Sequence, residues 1–168
     1  MATSMLVTGC AADVPKALPV CERTFDFRGG AALLGEDRRL WGAASKAAEG
    51  MEAVTMAELT RRAGWVEGGW DRVVHVPADT TAAQLNTASG ITDFCWVQLP
   101  ARWEISVEET IPDGYLLFVL GSTPVQAGFL DDISKSIELG NRPLEVVYPD
   151  SILIPKPHSG GPRLSTVK

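Results

Sequence analysis

One of the chain's two histidines, His75, lies inside the stretch "GWVEGGWDRVVHVPADTT", from Gly64 to Thr81. It is the residue best suited to acid–base work near neutral pH. Cys95 lies on a nearby predicted strand, so a Cys–His nucleophilic pair is one chemistry to consider. No local nucleophile motif frames any Ser or Cys, and GxSxG is absent. His158 is far away in sequence, and neither HxH nor HExxH occurs. A metal site needs three or four converging ligands, so no metal is expected. Alternation places His75 on the same strand face as Val73, with Val74 and Val76 on the other. A histidine packed at a sheet face is the favoured reading, and no catalytic residue is assigned.

The same stretch carries Trp65 and Trp70 on either side of Gly68-Gly69. Aromatic residues in loops are common contact anchors for protein partners. Trp65 and Trp70 are therefore the candidate partner-binding residues, and capping of the core where helix meets sheet is the competing role. Neither GxGxxG nor GxxxxGK[ST] is present, so no phosphate loop and no cofactor are expected. Glu108-Glu109 point to opposite faces of a strand and cannot act as a carboxylate dyad. Asp131-Asp132 are placed on the solvent side of a helix.

Two partial resemblances exist. "VTMAELTRRAGW" resembles the opening helix of a helix-turn-helix motif, but the Gly-broken "VEGGWDRVVHVP" follows where a recognition helix is required. Arg28 in "FDFRGG" and Glu145 in "LEVVYPDSILIP" loosely resemble the strand-borne Arg and Glu of small ADP-ribosyltransferase toxins. That resemblance implies an arginine holding NAD phosphate and a glutamate polarising the ribose. The middle Ser-Thr-Ser motif is not clearly present, and Pro143 stands where the acidic doublet needs its first member.

The elements that must position these residues follow from periodicity. Residues 36–49 read as a helix with Leu40, Ala44, Ala47 and Ala48 inward and Trp41 beside them. "TMAELTRRAG" is a second helix, with Thr55 and Glu58 in capping-box spacing and Gly64 as its stop. Met56, Leu59 and Ala63 share a face. "RVVHV" is a strand ended by Pro77. "DTTAAQLNTASG" is a short helix capped by Asp79 or Thr80 and stopped by Gly90. "DFCWVQL" and "RWEISVEET" are strands, Ile111–Gly114 is a turn, and "YLLFVL" is a fully apolar central strand. Arg23–Phe27 and Met5–Thr8 are short strand candidates. "VQAGFLDDISKSIELG" is expected to be a helix, because Val125, Phe129, Ile133 and Ile137 recur every four residues. "LEVVY" and "ILIP" are expected to form a final strand pair, and residues 156–168 a polar tail. The fold class is α+β: a single domain over residues 1–155, with a mainly antiparallel sheet and helices packed on it.

Composition bounds the partners. The 168 residues carry a net charge of −6 and are 45% hydrophobic. That is a globular composition. It argues against general nucleic-acid binding, which rests on Lys and Arg neutralising phosphates. A basic protein partner fits the charge, and an oligomer is compatible with it. Three cysteines, Cys10, Cys21 and Cys95, are an odd and sparse set with no CxxC spacing. They do not form a disulfide framework, and a reducing cytoplasm is expected. Val7-Thr8-Gly9-Cys10 resembles a lipoprotein cleavage box, but no Lys or Arg precedes Lys16 and the apolar run is only Met5-Leu6-Val7. No export signal and no membrane span are therefore expected.

Taken together, these features point to a cytoplasmic, acidic, non-enzymatic protein-binding module of inhibitor or immunity type, or an assembly component. The alternatives are an NAD-cleaving enzyme using Arg28 and Glu145, and a structural subunit of a phage or secretion particle.

Overall fold

The structure, a computed structural model, describes residues 21–30, 32–101, 114–130, 136–139 and 144–167. Its centre is a four-stranded antiparallel sheet. The two inner strands are β3 (Arg72–Pro77) and β5 (Gly114–Leu120). The outer strands are β6 (Thr123–Leu130) beside β5 and β8 (Val146–Val147) beside β3. Val73, Val74, Val76 and Leu116 to Val119 are all fully buried. A sheet that is apolar on both faces must be covered on both. Alternation divides its side chains as the sequence predicts. Val73, Leu116 and Phe118 face one core, and Val74, Val76, Leu117 and Val119 face the other.

Helices α1 (Asp37–Glu49) and α2 (Met56–Arg62) cover the first face. Leu40, Ala44, Ala47 and Ala48 form the buried stripe of α1. Beyond the helices lies a second four-stranded sheet in the order β2 (Val54–Thr55), β9 (Ile152–Lys156), β10 (Arg163–Thr166) and β7 (Ile137–Glu138). The other face is covered by α3 (Ala82–Ser89) and by a parallel pair, β1 (Arg23–Asp26) and β4 (Phe94–Val97). The architecture is thus α+β and rich in antiparallel pairing.

Local chemistry sets the element ends. Thr55 Oγ1 accepts the Glu58 N–H at the start of α2. The reciprocal half of that capping box is replaced, because the Glu58 carboxylate is taken by Arg61 and Arg62. The full box forms at α3 instead, and its cap is Thr81 with Gln84 rather than Asp79 or Thr80. Gly90 ends α3 in the left-handed conformation at φ 72°.

Four further expectations are corrected. Residues 125–130 are the strand β6, hairpinned to β5, not part of a helix. A spacing of four satisfies a helix face, but it is also an even number and so keeps one face of a strand. Cross-strand bonding to β5 decides for the strand. Asp131, Asp132 and Ile133 lie outside the described residues, as does the predicted strand "RWEISVEET" after Ala101. Secondly, "LEVVY" and "ILIP" do not pair with each other: β8 joins β3, while β9 joins β10 and β2. Thirdly, the expected polar tail contains β10, whose Leu164, Ser165 and Thr166 are buried. Its one fully sequestered apolar residue, Leu164, recruits the segment to the core. Fourthly, Cys21 and Cys95 form a disulfide with Cα atoms 5.4 Å apart. The pairing became available because β1 and β4 run parallel in register, Thr24 opposite Cys95. Cys10 lies outside the described residues.

The disulfide spans 74 positions. In the chain-entropy account a loop of that size contributes about 4 kcal/mol. The Cys21→Ser, Cys95→Ser protein is expected to show a correspondingly lower urea midpoint than the oxidised wild type. Equal midpoints with and without reductant would contradict the pairing. Leu164→Ala is expected to cost about 3 kcal/mol in the same measurement, whereas a substitution in a loose tail would cost almost nothing.

Candidate functional site

Trp65 and Trp70 are not exposed anchors: they are 4% and 6% accessible. Gly64, at φ +72°, reverses the chain after α2 and sends the next residue inward. The Trp65 indole packs on Phe118 at 4.8 Å between ring centroids and donates its N–H to the Glu36 carbonyl. Gly35 must lack a side chain, because a Cβ there would overlap the Trp65 ring. Trp70 meets the same Phe118 edge-on at 5.6 Å. Both tryptophans therefore close the first core where helix meets sheet.

Trp70 differs from Trp65 and Trp96 in one respect. The Trp65 and Trp96 indole N–H groups are bonded, the latter to Asn86 Oδ1 at 2.6 Å. Among the described residues the Trp70 N–H has no acceptor. Trp70 also lines an open cleft of about 410 Å³. Thr55, Ala57, Glu58, Thr60 and Arg61 form one wall from the start of α2. Glu67 and Gly68 from the α2–β3 connector and Pro149 from the β8–β9 turn complete it.

The electrostatics of this cleft are specific. Arg61 forks Glu58 through Nε at 2.7 Å and Nη2 at 2.8 Å, and Arg62 Nε adds a third bond at 2.8 Å. These bonds pull the Glu58 carboxyl down to about 2. Arg62 also holds Glu52 with two bonds. The two guanidiniums and two carboxylates cancel, so Glu67 leaves the cleft with negative charge. Glu67 makes no direct hydrogen bond or ion pair among the described residues, although its charge acts on the nearby Arg61 guanidinium. The start of α2 offers no anion site, because its first N–H groups bond to the carbonyls of Ser151 and Pro149 and to Thr55 Oγ1.

The other singled-out residues are placed elsewhere. His75 is half-buried in β3, its backbone N–H bonded to the Glu145 carbonyl. Cys95 is in the disulfide and has no thiol to pair with it. Glu145 accepts from Thr166 Oγ1 at 3.0 Å, between the two larger sheets. Arg28 sits on the exposed turn after β1, its backbone N–H bonded to Asp26 Oδ1. No bond joins Arg28 to Glu145. After α2 comes β3, not a second helix, so the helix-turn-helix resemblance stops at its first element. Among the described residues no three His, Cys, Asp or Glu side chains converge as a metal site.

One buried polar cluster is a scaffold feature rather than a binding site. Gln126 on β6 accepts the Leu34 N–H and donates to the Gly35 carbonyl and Asp37 Oδ1, each at 2.8 Å. Asp37 Oδ2 accepts the Phe129 N–H at 3.2 Å. These bonds fasten the loop before α1 to the sheet edge. Sequence reasoning missed the cleft residues Glu58, Arg61 and Glu67, because helix capping and a Gly-rich connector accounted for them locally.

Compared with protein-family models, curated proteins and solved structures, the chain matches none.

Burial raises the Asp37 carboxyl above its ordinary value, against the lowering effect of its bonds to Gln126 and Phe129. The folded protein therefore binds this proton more tightly than the unfolded chain does. Between the ordinary value of 3.8 and the raised one, stability must fall as pH rises. Asp37→Asn is expected to flatten that part of the wild-type curve of melting temperature against pH. An unchanged slope would show that Asp37 does not titrate in this way. Gln126→Leu, which orphans the Leu34 N–H, is expected to cost about 2 kcal/mol in urea unfolding.

Proposed function

We propose that the chain is a non-enzymatic binding module that captures a protein partner in the Trp70 cleft. The observation that carries this reading is Trp70 itself: the indole lines an open cleft, and its N–H makes no hydrogen bond among the described residues. A bound peptide carbonyl would supply the acceptor. Pro149, Ala57 and the indole provide apolar walls, and Thr55, Glu58, Arg61 and Glu67 provide polar ones. Such a mix is typical of sites that fix an orientation with a few polar groups. The net charge of −6 supports a partner rather than nucleic acid.

The Cys21–Cys95 disulfide supports an oxidising compartment as the place where this binding occurs, in place of the expected cytoplasm. No helix among the described residues is long and apolar enough to cross a membrane.

The direct test uses the wild type and Ala57→Trp as baits in extract from the native host. Ala57 is exposed and lines the cleft, so the indole fills the site without entering the core. The wild type is expected to retain a stoichiometric protein that Ala57→Trp loses, at an unchanged melting temperature. A wild type that stays monomeric and retains nothing argues against the module. A partner held equally by both baits would move the site elsewhere.

A further inference from the structure

We infer that the cleft is one end of a longer docking track, and that its occupant is an extended basic segment carrying an apolar residue a few positions from its cation. This inference rests on the binding reading above. The track follows from strand register. Ile152 on β9 is directly opposite Thr55 on β2, and the Val167 N–H bonds back to the Ile152 carbonyl. Directly opposed residues share a sheet face. Val167, Ile152 and Thr55 therefore form a row across the outer face of the second sheet, away from buried Leu153, and Thr55 is a wall of the cleft.

Ile152 and Val167 are more than half exposed, as is Tyr148 at the start of the turn that brings Pro149 to the cleft. Apolar surface and cleft are thus continuous through one turn and one row. Three neighbouring strands at about 4.8 Å spacing give the row a span of about 10 Å. An extended segment covers that distance in about three residues.

Charge selects the occupant. Glu67 in the cleft acts on Arg61 only through space and exposed Asp150 lies on the adjoining turn, neither in a direct ion pair among the described residues, while the Arg61 and Arg62 bonds go to Glu58 and Glu52, so the cleft side keeps a net negative charge. A Lys or Arg on the incoming segment supplies the missing cation. Its neighbouring carbonyl accepts from Trp70, and its apolar residue covers Ile152 and Val167. An acidic segment would meet Glu67 and Asp150 as like charges.

The test titrates blocked synthetic peptides into the nitrogen-labelled, oxidised protein and follows its tryptophan indole N–H signals. The five tryptophans give a small set, and Trp70→Phe assigns the relevant one. The probe carries Leu three residues from Arg in a Ser/Ala background. Its controls replace Arg by Glu, or Leu by Ser. The basic peptide is expected to shift the Trp70 signal saturably, and the Glu control to bind about tenfold more weakly. Glu67→Gln and Ile152→Ser are each expected to weaken the basic peptide about threefold, the former less so at high salt.

Equal binding of the acidic peptide, or a Glu67→Gln protein that binds as the wild type does, would overturn the basic partner and leave the cleft standing as a recognition site. An Ile152→Ser protein with full affinity would overturn the track. If no peptide moves the Trp70 signal, the cleft reading falls with it. Self-association that Ile152→Ser abolishes would assign the surface to a second copy of the chain and overturn the inference.

Discussion

The burial of both faces of β3 and β5 constrains everything else in the molecule. Two adjacent strands whose central side chains are buried on either side cannot stand at a surface. One cover is helical, with α1 and α2 backed by the second sheet; the other is α3 with the disulfide-linked parallel pair. The two cores share no side chains, because alternation sends successive residues of each strand to opposite sides. Each cover is assembled from segments distant in sequence, so long-range contacts carry much of the fold's definition.

Polar bonds then fix the covers in place. Gln126 and Asp37 tie the start of α1 to the sheet edge. Arg72 does the equivalent on the other side, donating to the Ser89 carbonyl at the end of α3 and to the Gly121 carbonyl in the β5–β6 turn. Such bonds add little net energy when made, yet losing one partner of a buried pair is costly. They specify which arrangement of covers is adopted, while apolar burial drives the covering itself. The cleft forms where this arrangement leaves a gap, between the start of α2, the connector that enters β3, and the turn before β9.

The residues with the best chemical credentials in the sequence all make structural contacts in the fold. His75 packs in β3, Cys95 is spent in a disulfide, and Trp65 closes a core. Trp70 is buried in the same core and also lines the cleft. Glu67 illustrates the opposite case. In the sequence it is an ordinary charged residue in a Gly-rich connector; in space it is a carboxylate near Arg61 whose bonds are already taken by Glu58. The spacing of Glu58 to Arg61 and Arg62 is a local helix signal, but only the fold brings Glu67, Trp70 and Pro149 to the same cleft.

By itself the sequence determined what short-range physics controls. The apolar periods of α1 and α2, the alternation of β3, the apolar run of β5, and the glycine stops at Gly64 and Gly90 all carry into the fold. The tertiary structure alone decided whatever a local pattern permits in two ways. Residues 125–130 suit a helix or a strand equally, and hydrogen bonding to β5 chose the strand. Cys21 and Cys95 are 74 positions apart, and only the parallel register of β1 with β4 brought them together. The 156–168 stretch is polar enough for a tail, yet Leu164 found a place in the core. The cleft draws on residues from Thr55 to Pro149, so no window of the sequence contains it; it exists because chain segments that share no local pattern were packed side by side.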